Sequence, residues 1–185
     1  MKNVTPEFIR DIFYSGQFGF AGDIEVTSKI AFLVNHDYLL MSKVSIVTKE
    51  HYLSICSDSE LIDKSYEAAG GSSEHIALKL LAQRYLHEEY SIESVCEHPF
   101  VGYYPDVQSC DKHIICECGH TKNPEKIFSY FQDPIVRYVI QIPYPNDGDA
   151  FIFGYEFQAS SNLVPFLALE SQGISQSIKD ILNRR

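Results

Sequence analysis

The sequence has no tryptophan, two methionines and ten fewer basic than acidic side chains, 15 Lys and Arg against 25 Asp and Glu. Phosphate contacts need cationic side chains, so a net charge of -10 argues against a general nucleic-acid coat or a membrane-surface binder. It leaves room for a local basic cluster, and Lys112, His113, His120, Lys122 and Lys126 fall close together. No apolar run approaches the roughly 20 residues that span a bilayer. The opening MKNVTPEFIRDIF lacks a cleavable signal pattern, so the expectation is a soluble, cytoplasmic protein whose thiols are reduced. The five cysteines are an odd number, and four of them lie between Cys96 and Cys118.

What is present is enough apolar residue, 45% of 185, to bury the core of one domain. Thr5-Pro6-Glu7 reads as a capped helix start, with the helix running to about Tyr14 before the glycine-rich stretch from Gly16 to Gly22 breaks it. Glu25 to Val34 and Tyr38 to Thr48 read as strands, with β-branched and aromatic residues continuing through the following KEHYLSI. A helix capped by Ser57 or Ser59 is expected to reach Ala69, where Gly70-Gly71 ends it. Ser72-Ser73-Glu74 opens the best helix in the chain, with one broad apolar face through Leu86.

Three strands are expected next, at Ser91–Glu97, Val101–Val107 and Lys112–Cys118, the last two joined by a turn at Ser109-Cys110-Asp111. Asn123-Pro124-Glu125 starts a helix to about Gln132, and Val136–Ile142 is a fourth strand. Asn146-Asp147-Gly148-Asp149 reads as a hairpin turn, Ala150–Ala159 as a strand, and Leu163–Glu170 and Ile174–Arg185 as helices. The chain divides into an N-terminal α+β extension (1–70), a core (71–145) and a C-terminal strand-helix addition (146–185).

Asp106 and Glu117 stand on neighbouring strands. Glu117 interrupts the apolar run Ile114-Ile115-Cys116, and a carboxylate carried inward by a strand needs a partner. Two carboxylates brought together suit a hard divalent cation such as Mg²⁺ or Mn²⁺, with the Cys118 carbonyl as a third ligand. Glu74 would join through water or complete a second site. A structural zinc site drawn from Cys96, His98, Cys110, His113, Cys116, Cys118 and His120 is a weaker alternative, because no Cys-x-x-Cys pair is present. Cys110 or Cys118 as a nucleophile beside a histidine is weaker still, since no local signature supports it.

Gly71-Ser72-Ser73-Glu74, Pro105-Asp106 and Glu117-Cys118-Gly119, in the order helix, strand, strand, strand, helix, strand, resemble the core of the PD-(D/E)XK nuclease superfamily. That resemblance covers about 70 of the 185 residues. It implies an α/β restriction-endonuclease-like core with a mixed central sheet flanked by helices, DNA as substrate, Mg²⁺ or Mn²⁺ as cofactor, and Glu74, Asp106 and Glu117 as site residues. The family usually carries a lysine two residues after the glutamate, where this chain has Gly119. Lys122, Lys126, Lys79 or His120 would have to stand in for it. Otherwise the domain binds without cutting, as an assembly module with a homodimer or protein partner left open.

Overall fold

The computed structural model describes residues 3–14, 23–65, 71–121 and 123–171. Lys122, the glycine-rich stretch and the expected helix at 174–185 lie outside them. The described residues form an α/β fold: a six-stranded mixed sheet with helices on both faces.

The chain begins with helices α1 (Pro6–Tyr14) and α2 (Asp23–Asn35), edge strand β1 (Leu39–Thr48), and helices α3 (Lys49–Cys56) and α4 (Ser59–Lys64). Helix α5 (Ser73–Tyr90) follows, then β2 (Ser94–Cys96), β3 (Val107–Ser109) and β4 (Ile114–Cys118). Helix α6 (Lys126–Gln132), β5 (Tyr138–Ile142), β6 (Phe151–Ala159) and α7 (Leu163–Ser171) complete it. Spatially the strands run β1-β6-β5-β4-β3-β2. Only β4 and β5 pair in parallel; the other neighbours are antiparallel. A parallel pair needs a crossover, and α6 supplies it.

Strand alternation sorts β4 into two layers. Ile114, Cys116 and Cys118 face α5 and α3, in a cluster with Leu78, Leu81, Val107 and Ile140. Ile115 faces the other way, into a cluster built by α1, α2, α6 and α7 with Phe13, Ile30, Tyr130 and Phe157. Helix α5 starts where Ser72 accepts the His75 amide at 3.4 Å, and it ends on Ser91 in the left-handed region at φ 56°.

Three strand expectations fail, each for a local reason. Residues 25–34 are helical: Thr27, Ile30, Ala31 and Val34 are buried at helical spacing, and that face outweighs the β-branched composition. The strand ends at Thr48, whose hydroxyl caps α3 by accepting the His51 amide at 3.3 Å, so KEHYLSI is helix. Residues 101–106 are not strand: Phe100 to Tyr103 is a turn closed by paired backbone bonds between its two ends, and β3 begins only at Val107. Val101 at φ 43° and Gly102 at φ 84° hold backbone that no strand adopts.

Candidate functional site at the end of β3 and β4

Val107 pairs with Cys116 across the antiparallel β3–β4 ladder. Continuing that register by one step sets Asp106 opposite Glu117. The two acids of the sequence motif therefore stand opposite one another in the register at one end of the sheet, and the Asp106 charge acts on Glu117.

Asp106 lies just outside β3, where its carboxylate is met by α5. His75 Nε2 is 3.1 Å from Oδ1, and the Lys79 ammonium is 3.9 Å from the same oxygen. His75 and Lys79 are one helical turn apart and so share a face. On the strand side, the Cys118 amide donates to Oδ2 at 2.7 Å. Burial alone would raise the Asp106 carboxyl; the His75 ring, the Cys118 amide and the Lys79 charge outweigh it and hold the group below the ordinary aspartate value. Lys79 is fully buried and also pairs with Glu97.

Glu117 faces the opposite layer and is met by α6. Lys126 pairs with Oε2, and the Tyr130 hydroxyl donates to Oε1 at 2.7 Å. Lys126 and Tyr130 are again one turn apart. Glu117 is 4% exposed. Burial pushes its carboxyl up to about 7, opposed by Lys126 and reinforced by the negative charge of Asp106. Each acid is thus supplied with a lysine from a different helix, and neither lysine stands at the motif position two residues after the glutamate, which is Gly119.

The vacant motif position has a steric cause. Gly119 has φ +69°, and a Cβ there would lie 2.5 Å from the ring of Tyr144. The ring fills the space that a side chain would need. Tyr144 also stands edge-on to His120 at 4.9 Å between ring centroids. His120 is therefore at the site's margin against Tyr144, and its Nδ1 is shielded from solvent without a hydrogen-bond partner among the described residues. Glu74 is exposed on the first turn of α5, where its charge acts on Tyr52 and Tyr144.

The cysteines do not assemble a metal centre: among the described residues no three His, Cys, Asp or Glu side chains are grouped to hold an ion. Cys116 and Cys118 are free, buried in the α5-facing core, and burial pushes both thiols up, which suits core residues and not nucleophiles. The chemistry of the acids remains that of hard oxygen donors. Carboxylates and backbone carbonyls are the donors that hard divalent cations take, with water completing the shell. In extended backbone the N–H and C=O of one residue point the same way, so the Cys118 carbonyl shares the side of the amide that meets Asp106.

Sequence reasoning named Asp106 and Glu117, with Lys79 and Lys126 among the stand-ins for the motif lysine, and gave His75 no part. The available signal was the spacing from His75 to Lys79, a cationic residue set inside the apolar stretch from Ile76 to Ala82. No family model, curated protein or solved structure matches this chain. No helix among the described residues is long and apolar enough to cross a membrane.

Proposed function

We propose that the protein is a metal-dependent phosphodiesterase acting on DNA, with a restriction-endonuclease-like core spanning α5 to β5. The reading is carried by one arrangement: register-opposed Asp106 and Glu117, flanked by Lys79 from α5 and Lys126 from α6. The element order helix, strand, strand, strand, helix, strand supports it.

Asp106, Glu117 and the Cys118 carbonyl would hold Mg²⁺ or Mn²⁺. A bound ion supplies charge neutralisation on the scissile phosphate and a more acidic water. Lys126 takes the part of the missing motif lysine. Its ammonium leaves Glu117 for a phosphate oxygen, which frees the carboxylate and offsets charge in the transition state. His75 and the Cys118 amide keep Asp106 ionised and aimed. In the reaction, water oxygen bonds to phosphorus, a P–O ester bond breaks, and the water's proton ends on the leaving oxygen.

The test is cleavage of labelled single-stranded, duplex and branched DNA with Mg²⁺ or Mn²⁺, using Asp106→Asn and Glu117→Gln as near-isosteric controls. The expected result is cleavage by the wild type, reduced roughly 100-fold or more in both variants. No cleavage by the wild type, together with no Mn²⁺ binding by calorimetry, overturns it. One observation favours a second reading, a non-catalytic binding or assembly module. Both carboxylates already have protein partners, and Gly119 offers no side chain. DNA binding without cleavage at any metal concentration would establish that alternative.

A further inference from the structure

Tyr144 does more than fill the space above Gly119. Its ring also lines a cleft of about 220 Å³ between α1 and the segment joining β5 to β6. The cleft is aromatic on several sides: Phe8, Phe151, Phe153 and Tyr155 all contribute rings. Phe8 and Phe151 are 39% and 43% exposed, which is high for large apolar side chains. Phe8 stands edge-on to Tyr155 at 5.7 Å, and Phe151 lies 6.1 Å from Phe153. Lys43, from edge strand β1, places its ammonium 3.6 Å from the centre of the Phe153 ring. No carboxylate pairs with it among the described residues. Asp11 and Asp149 stand at the same cleft.

These features match the chemistry of one unstacked nucleotide. Exposed aromatic rings offer faces for a base, and an ammonium seated on a ring offers charge for its phosphate. The carboxylates of Asp11 and Asp149 can accept from exocyclic amino groups. Tyr144 links the cleft to the acids: its ring lies against Gly119, two residues after Glu117, and the Asp106 charge acts on it. The shielded Nδ1 of His120, edged by the same ring, is a polar atom at that junction with no partner among the described residues.

We infer that this cleft is a base-stacking subsite, which takes an unpaired base of a DNA strand while the neighbouring phosphate lies at Asp106 and Glu117. The inference rests on the phosphodiesterase reading for the position of that phosphate, but base stacking is measurable without cleavage. It fixes the substrate class as single-stranded or locally unpaired DNA, since a base inside a duplex has no free face to offer.

The test is fluorescence anisotropy of the full chain with a short labelled single-stranded oligonucleotide, without divalent metal. An abasic oligonucleotide of equal length and a blunt duplex serve as comparisons. Phe151→Ala removes an exposed ring and so spares the fold; Phe8→Ala is the independent second variant. Expected are tighter binding of the base-bearing single strand than of either comparison, and a loss of roughly 5- to 100-fold in each variant for that strand alone. Equal affinity for the abasic strand, no effect of either variant, or no binding overturns the subsite. So does preferential binding of an arginine-rich peptide, which Asp11 and Asp149 would attract. The two proposals fail separately. Cleavage with no base dependence removes the subsite and leaves the phosphodiesterase, whereas base-dependent binding with no cleavage does the reverse.

Discussion

The burial of Glu117 makes the stability of this protein depend on pH in a specific window. The group has an ordinary value of 4.5 and stands at about 7 in the fold, chiefly because β4 carries it into the layer beneath α6. Between those two values the folded chain holds a proton that the unfolded chain has already released. Stability therefore falls as pH rises through the window. The contribution is fully present below pH 4.5 and is lost once pH passes about 7. At roughly 1.4 kcal/mol per pH unit the gap amounts to about 3 kcal/mol. Glu117→Gln keeps the shape and removes the titration. The assay is urea unfolding followed by far-UV circular dichroism at several values from pH 4 to pH 8, the chain having no tryptophan to report by fluorescence. The unfolding free energy of the wild type minus that of the variant should drop by about 3 kcal/mol across the window. Groups titrating in both proteins cancel in that difference. A flat difference would refute the reasoning. A rising one would mean that the Lys126 ammonium and the Tyr130 hydroxyl stabilise the carboxylate by more than burial costs it. Lys126→Met removes one of the two opposing groups, so the upper end of the window should then move to higher pH while its lower end stays at the unfolded value.

Two further substitutions probe the site from its other sides. Lys79→Met leaves Asp106 with less positive charge, but Asp106 keeps His75 and the Cys118 amide, and the exposed Glu97 regains water; we expect a loss of about 1 kcal/mol in urea unfolding at pH 7. Stability that depends on ionised Asp106 exists above its ordinary value of 3.8 and disappears as pH falls below it, so acid unfolding of this variant should begin at higher pH. Gly119→Lys restores the usual motif residue yet should not improve DNA cleavage. It should cost about 1–2 kcal/mol from the left-handed backbone alone, with Tyr144 displaced besides. A cleavage gain with unchanged stability would show that the ring is no obstacle.

Most helices and strands were readable because their signals are local. The order Ser72-Ser73-Glu74 and the apolar face behind it specify α5, and Pro124 with the apolar run after it specifies α6. Helix α2 was also readable, since Thr27, Ile30, Ala31 and Val34 carry the helical period; weighing Val26, Thr27 and Ile30 as β-branched hid it. The turn at Val101-Gly102 was harder, because a valine at φ 43° runs against its own preference and is held there by the Phe100–Tyr103 bonds.

The register that sets Asp106 opposite Glu117 came from the structure; the sequence by itself determined that alternation sends Glu117 away from Cys116 and Cys118. It determined equally that Glu117 would need a partner, since it stands in an apolar run. Only the tertiary structure decided which cations answer the two acids. Lys79 and Lys126 lie 38 residues before and nine residues after Glu117 in the chain, on helices packed against opposite faces of the sheet. Their approach depends on where α5 and the β4–β5 crossover dock. The same holds for Gly119. Its missing side chain is visible in the sequence, but the reason, the ring of Tyr144 lying against a left-handed backbone, comes from the adjoining end of a parallel strand.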